Sequence, residues 1–329
     1  MSSEIVPERS DRLLDLRVSQ VWREAADIIG IELVDPSGAA LPRFEAGAHL
    51  DVFTPAGVVR QYSLFNDPAE QHRYCLAVLF EANGRGGSRS LHEQVRDGHA
   101  LRVSCPRNKF PLVKHSGPSV LLAGGIGITP ILSMAHTLLR SRSEFVLHYC
   151  TRSIERTAFY SRVSAPDLRD RVHLHLDDGP PQQKADLSKL LSEASADSHL
   201  YYCGPDGFMQ AVMSSGRDAG WSPDRMHCEY FGSVQPKSQG ERPFIVRLAG
   251  RGVDVSIGAN ETVVEALSAR GIFLSTSCEQ GFCGSCVTRI LSGTPDHRDS
   301  VLTDAEKAAN DCFTPCCSRA HSDVLVLDL

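Results

Sequence analysis

Cys278-Glu279-Gln280-Gly281-Phe282-Cys283-Gly284-Ser285-Cys286 sets three cysteines at C-x4-C-x2-C spacing, and Cys316 follows 30 residues after the last of them. Four thiolates spaced in this way suit a plant-type [2Fe–2S] cluster. Gly281, Gly284 and Ser285 are small enough to let the backbone fold tightly around the sulfurs and aim N–H groups at them. A structural zinc site also takes four cysteines, but it favours C-x2-4-C pairs on both sides. Here the second side, Cys312 with Cys316-Cys317, is irregular. A Rieske centre would replace two cysteines with histidines, and the chain has no C-x-H followed by C-x2-H.

The sequence on either side of this loop reads as a small α+β module. Phe244–Leu248 and Val253–Ile257 alternate as strands about a Gly250-Arg-Gly252 turn. Asn260 is placed to cap a helix carrying Val263, Val264, Ala266 and Leu267, and Val287–Leu291 and Val324–Leu327 read as closing strands. A mixed sheet gripping one helix is the economical arrangement. Upstream, Ser233–Gly240 is polar, holds Pro and Gly and has no periodicity, as a linker would. The expected organisation is a barrel over residues 1–112, an α/β domain over 113–232, a linker over 233–240 and the cluster module over 241–329.

The α/β domain announces itself at Val120-Leu121-Leu122-Ala123, a continuous apolar run of the kind a buried parallel strand shows. Gly124-Gly125-Ile126-Gly127-Ile128-Thr129-Pro130 follows, with Thr129 placed as N-cap and Pro130 at the first helical position. A strand, a glycine turn and a helix make a cradle for a pyrophosphate, although this is not a strict G-x-G-x-x-G. Phe145–Cys150, Val172–Leu176 and Met226–Phe231 read as further strands. Leu200–Cys203 is another, entering the turn Gly204-Pro205-Asp206-Gly207 ahead of a helix from about Phe208 to Ala219. Strands alternating with helices imply a parallel sheet that binds ligands at the carboxyl ends of its strands, where both glycine turns lie.

Residues 11 to about 112 carry short strands punctuated by turns, which suits an antiparallel β-barrel with one helix starting near Ser90. Two stretches in it offer chemistry. In Arg60-Gln61-Tyr62-Ser63-Leu64, Arg60 gives a fork of donors for a phosphate, Tyr62 a flat ring and Ser63 a hydroxyl donor. Gly84-Arg85-Gly86-Gly87-Ser88-Arg89-Ser90-Leu91 is a glycine turn opening a helix, a natural anion site. Taken singly, each is also what an ordinary barrel strand and a flexible loop would show.

Composition bounds the function. The 329 residues are 42% hydrophobic and 22% charged, with 34 basic against 40 acidic residues and a net charge of −6. That balance, with no basic run interleaved with aromatics, argues against a nucleic-acid partner. Met1–Pro7 has no apolar signal core, and no apolar run approaches 18 residues, so no membrane association and a cytoplasmic location are expected. Eleven cysteines in that compartment are not a disulfide framework. The 13 histidines are scattered along the chain and take no role in this reading.

Together these motifs resemble, over essentially the full length, the phthalate dioxygenase reductase family, which includes vanillate O-demethylase reductase subunits. The resemblance implies a flavin barrel, then a pyridine-nucleotide domain, then a β-grasp ferredoxin domain. Arg60-Gln61-Tyr62-Ser63-Leu64 is similar to the family's R-x-Y-S-L. By that match Ser63 donates toward the isoalloxazine, Tyr62 packs on the flavin, and Gly87 and Ser88 hold its phosphate. Gly124, Gly125, Gly127, Thr129 and Pro130 correspond to the nucleotide loop. Cys203-Gly204-Pro205 corresponds to the C-G-P turn that sets a cysteine beside the nicotinamide, and Phe231 to the aromatic residue against the flavin. Cys316-Cys317-Ser318-Arg319 resembles the final-ligand motif C-V-S-R, which selects Cys316 over Cys317 and Cys312 as the fourth ligand after Cys278, Cys283 and Cys286.

The implied path is NADH to FMN to [2Fe–2S] to an external protein. Hydride transfer delivers two electrons at once, the cluster accepts one, and a flavin mediates between them. FMN rather than FAD follows from the resemblance alone. The same resemblance makes the partner a Rieske-type terminal oxygenase acting on an aromatic or related small molecule. Residues 241–329 hold twelve acidic and eight basic side chains, a balance able to steer toward a basic patch on that partner. A reductase for a cytochrome P450 or other monooxygenase, and a non-enzymatic iron–sulfur redox sensor, are the competing readings. For the nicotinamide, Arg152 could receive the 2′-phosphate of NADPH, whereas Asp177 and Asp178 would repel it, and the resemblance favours NADH.

Overall fold

The computed structural model describes residues 12–84, 86–231, 242–274, 276, 281, 284, 286–299 and 301–329. The chain divides into two compact units, residues 1–219 and 220–329.

The first unit begins with the strands β1 (Leu13–Ala25), β2 (Ile28–Val34), β3 (Ala48–Phe53), β4 (Val59–Ser63) and β5 (Tyr74–Leu79). Helix α1 (Gly87–Gln94) follows, then β6 (Ala100–Ser104) and β7 (Arg107–Asn108). Period-2 alternation drives the pairing. In β1, Leu14, Leu16 and Val18 are buried while Leu13, Asp15 and Arg17 are exposed. The strands run β4-β3-β6-β1-β2-β5, with β7 beside β3. A single bridge from Leu64 to Leu76 then brings the end of β4 to β5 and closes the sheet into a barrel. Leu91 of α1 fills the barrel together with Leu16, Val18, Ile31, Leu50 and Val103.

The nucleotide region of the same unit comprises β8 (Ser119–Gly124), α2 (Ile128–Ser141), β9 (Phe145–Thr151), α3 (Tyr160–Val163), β10 (Val172–Leu176), α4 (Leu187–Glu193), β11 (His199–Gly204) and α5 (Asp206–Asp218). β10, β9, β8 and β11 lie side by side, all parallel. β8 is buried along its whole length, which is why it reads as an unbroken apolar run. The helix after it starts earlier than its sequence signals suggest. A 3-10 turn, Gly125–Gly127, leads straight into α2, whose N-cap is Gly127 with no side-chain cap. Thr129 therefore sits inside the first turn, where its hydroxyl donates to the Ile126 carbonyl at 3.1 Å. Pro130 shares that turn, where a missing N–H costs nothing. The apolar core is continuous between the two parts of the unit. Ala25, Ile28, Ala46, Ala77 and Phe110 of the barrel region pack in one cluster with Leu121, Ile131, Met134, Tyr149 and Phe159.

The histidines are not all scattered once the sheet forms. The parallel register sets His173 beside His148. His148 stacks on His173 and His175 at 4.9 and 5.3 Å between ring centroids, and its Nδ1 lies 3.1 Å from His175 Nε2. Burial, reinforced by His173 and His175, pulls His148 down to about 4. Its neutral form is thus favoured by folding, so the stabilisation is complete above the unfolded value near 6.5 and is lost as pH falls toward 4. Each pH unit in that window is expected to remove roughly 1.4 kcal/mol. Urea midpoints at pH 7.5 and pH 5 should differ more in the wild type than in His148→Gln, and equal differences would refute the assignment.

The second unit opens with β12 (Met226–Tyr230) and continues through β13 (Phe244–Leu248), β14 (Val253–Ile257), α6 (Val263–Ser268), β15 (Thr288–Ser292), β16 (Pro295–Asp296), α7 (Asp304–Ala309), β17 (Cys312–Phe313), β18 (Arg319–Ala320) and β19 (Val324–Leu327). The expected mixed sheet is present, in the order β14-β13-β19-β15-β17, with β13 parallel to β19 and the other pairs antiparallel. Among the described residues it carries two helices, not one. α6 is capped by Thr262, not by Asn260, because Thr262 and Glu265 close a capping box. α7 has a second box from Thr303 and Glu306. Phe244, Val246, Val255, Leu267, Phe313 and Leu325 form a core of the unit's own. Among the described residues, no helix is long and apolar enough to cross a membrane.

Candidate functional site

The barrel motif lies along β4, which pairs with β3 so that Arg60 faces Val52, Tyr62 faces Leu50 and Ser63 faces His49. Leu64 is fully buried and its side chain belongs to the barrel core, while Ser63 is buried at the strand end. Tyr62 is half-buried, and burial raises its hydroxyl to about 12, so it stays protonated. Arg60 runs along the start of α1. A Cβ at Gly87 would meet Arg60 Cγ at 2.9 Å, so only glycine lets guanidinium stem and helix N-terminus share this spot. Gly86 caps α1 at φ 86°. The Ser88 hydroxyl accepts from the Glu81 amide at 3.0 Å, which leaves its proton available to an anion. Arg60, the N-terminal amides of α1 and Ser88 thus fit a phosphate group.

Both glycine turns of the nucleotide region meet at the carboxyl ends of β8 and β11. A Cβ at Gly127 would meet the Cys203 carbonyl oxygen at 2.2 Å and the Gly204 amide nitrogen at 2.7 Å. A Cβ at Gly124 or Gly204 would run into Phe208, the third residue of α5. Phe208 packs against both turns, a neighbour that motif reading passes over. Its signal is an aromatic side chain in the first turn of the helix that follows C-G-P. Gly125 takes φ +52° with open space above it, as a backbone lining a ligand cradle requires. Thr129 and Pro130 are buried in the first turn of α2, and Pro205 is the N-cap of α5. Cys203 is wholly buried, and its carbonyl is the group pressed against Gly127. The paired turns fit a pyrophosphate in backbone geometry and in their position in the sheet.

In the second unit, Cys286 and Cys316 are both buried with their sulfurs 3.3 Å apart, as two thiols that share one metal centre require. Cys278 and Cys283 lie outside the described residues. Gly281 adopts φ +81°, and a Cβ there would meet Cys317 Sγ at 2.4 Å and Asp299 Cα at 3.0 Å. Gly281 is therefore seated against the turn at residues 316–318. That turn is fixed by Ser318 N–H to Thr314 O at 2.9 Å and by a contact of Thr314 Oγ1 with Ser318 Oγ at 2.8 Å. The buried Arg319 donates to the carbonyls of Glu261 and Gly258. Cys312 is half-buried in β17 and its thiol is pushed up by burial. Phe231 follows β12 and is exposed.

Residues 121–214 match the oxidoreductase NAD-binding domain family, and residues 246–321 match the 2Fe-2S iron-sulfur cluster binding domain family. Over 96% of its length the chain is 48% identical to the whole of the vanillate O-demethylase oxidoreductase of Pseudomonas sp. (strain HR199 / DSM 7063). A solved structure of phthalate dioxygenase reductase, described as a modular structure for electron transfer from pyridine nucleotides to [2Fe-2S], is 42% identical. That alignment covers 96% of this chain and 98% of that one, with a TM-score of 0.66.

The chain belongs to the phthalate dioxygenase reductase family.

As a member of that family it is an oxidoreductase with a flavin-type barrel, an NAD-binding parallel sheet and a [2Fe–2S] ferredoxin domain. The phthalate dioxygenase reductase fold also recurs within an intact type IV self-sufficient cytochrome P450 monooxygenase. That protein is 38% identical over 96% of this chain and 41% of its own length, with a TM-score of 0.68.

Proposed function

We propose that this chain is the reductase component of a multicomponent oxygenase, taking electrons from NADH through FMN to its [2Fe–2S] cluster and on to a Rieske-type terminal oxygenase in the cytoplasm. The observation that supports the reading is that one chain holds a helix start and strand fitted to an anion, paired glycine turns at the ends of parallel strands, and the buried Cys286–Cys316 sulfur pair. The flavin supplies the conversion between a two-electron donor and a one-electron acceptor. The protein's own residues bind and orient. Arg60, Gly87 and Ser88 would take the flavin phosphate, and Tyr62 and Ser63 its ring. Gly124, Gly125, Gly127, Thr129, Pro130, Cys203, Gly204 and Pro205 would shape the dinucleotide site. Cys278, Cys283, Cys286 and Cys316 would hold the cluster. Likeness to the fused P450 enzyme favours a P450 acceptor as the second reading, which reconstitution with each acceptor type separates.

The decisive experiment is an anaerobic titration of purified protein with reduced nicotinamide, followed through flavin and cluster absorbance. Both should bleach, and kcat/KM should be higher with NADH than with NADPH. The segments after β9 and β10 run together, with Asp177 N–H on Thr151 O at 3.0 Å and Asp178 N–H on Arg152 O at 3.1 Å. These bonds set the backbone of the two acidic residues beside that of Arg152, so negative charge stands close to a side chain suited to a 2′-phosphate. A higher kcat/KM with NADPH would refute the preference, and absence of flavin would refute the electron path.

A further inference from the structure

The flavin motif and the nucleotide loop are joined by a short strap that neither motif contains. Two residues beyond Leu64, Asn66 is buried and its backbone carbonyl accepts a 3.1 Å hydrogen bond from Ser133 Oγ. Ser133 is fully buried on α2, the helix whose N-terminus is the nucleotide loop. The next residue, Asp67, forms an ion pair with Arg140 near the other end of α2. Phe65 packs on Phe159 at 4.4 Å between ring centroids. Phe159 is held at φ +59°, with its amide donating to the Glu24 carboxylate at 2.7 Å. The Asn66 side chain fixes the same loop internally. Its Oδ1 accepts from the Cys75 amide at 3.0 Å, and its Nδ2 donates to Glu70 and to the Arg73 carbonyl. Along the chain, Ser63 is three residues from Asn66, and Gly127 is six from Ser133.

From this we infer that Ser133, with Arg140 as a second tie, is a positioning residue that sets the distance and angle between flavin and nicotinamide. The inference rests on the electron path proposed above. Hydride transfer needs its donor and acceptor carbons in near contact, and a displacement of one ångström far from the chemistry can cost up to about a hundredfold in rate. A hydroxyl buried between the two binding regions has the reach to impose that alignment without touching either cofactor.

The test is stopped-flow reduction of the FMN-loaded protein by NADH and by NADH deuterated at the transferring C4 position, for wild type, Ser133→Ala, Arg140→Ala and the double variant. In Ser133→Ala the limiting rate of flavin reduction should fall about tenfold while the dissociation constant for NADH stays within about twofold. The deuterium isotope effect should rise, the long-wavelength absorbance of the NADH–flavin complex should weaken, and amide exchange of residues 64–70 should quicken with flavin content unchanged. Arg140→Ala is exposed enough to fold in any case and should show the same pattern at about twofold. Unchanged rate and isotope effect in the double variant would overturn the inference, as would a rate loss that merely tracks loss of flavin. A wild type that NADH fails to reduce would instead overturn the electron path itself.

Discussion

Cys316→Ser should yield a protein that keeps its flavin, still reduces ferricyanide with NADH, and has lost its [2Fe–2S] absorbance. A serine hydroxyl at neutral pH is a poor replacement for a thiolate, and Cys316 is buried with its Sγ 3.3 Å from Cys286 Sγ. The second unit has a core small enough that metal ligation is expected to support its fold. The barrel and nucleotide region have cores of their own and should survive. Ferricyanide can take electrons from a flavin directly, so that activity should persist, while reduction of cytochrome c or of the oxygenase should fail. Cys312→Ser and Cys317→Ser are the controls and should retain the cluster. Retention in Cys316→Ser with loss in Cys317→Ser would move the ligand by one residue. Loss of the cluster with full reduction of the oxygenase would break the linear path.

Gly127→Ala should abolish tight nucleotide binding. Gly127 has φ −61°, a conformation alanine adopts freely, so its requirement is one of space and not of backbone freedom. The added methyl would lie 2.2 Å from the Cys203 carbonyl oxygen and 2.4 Å from its carbonyl carbon. Those atoms are backbone and cannot rotate aside, so the ends of β8 and β11 must separate. Overpacking of this kind costs about 1–3 kcal/mol. Because the strained atoms belong to the proposed nucleotide cradle, affinity for NADH should fall by at least about tenfold, the equivalent of 1.4 kcal/mol. Gly207→Ala is the control. It lies in α5 with nothing near its Cβ and should be neutral or stabilise by up to about 1 kcal/mol. Isothermal titration with NAD+ and thermal melts decide it, and equal affinity in both variants would show that the turns do not form the cradle.

What the residues disclosed in advance, and what they hid, follows from the range of the interactions involved. The two glycine turns obey local rules of spacing, and so their place at strand ends follows from the sequence before any coordinates. α2 starts earlier than the cap-like Thr129 and Pro130 suggest, because Gly125–Gly127 already winds as a 3-10 turn. Thr262 outranked Asn260 because its partner Glu265 stands three residues on. The same pattern at Thr303 and Glu306 announces α7 and was there to be read. The histidine trio could not be read, since it depends on which residue of β10 stands beside His148. Nor could the bond from Ser133 to Asn66, which joins positions 67 residues apart.

The apolar cluster that runs without a break from Ala25 and Phe110 into Tyr149 and Phe159 has a consequence for heredity as well as for stability. Recombination that parted the barrel from the parallel sheet would give two fragments, each with a greasy wound and neither able to bury it. The barrel and sheet should therefore be inherited and transplanted as one indivisible cassette. From Phe244 onward the chain gathers an apolar core of its own, which makes that segment the natural part to exchange in fusions or engineered chimeras.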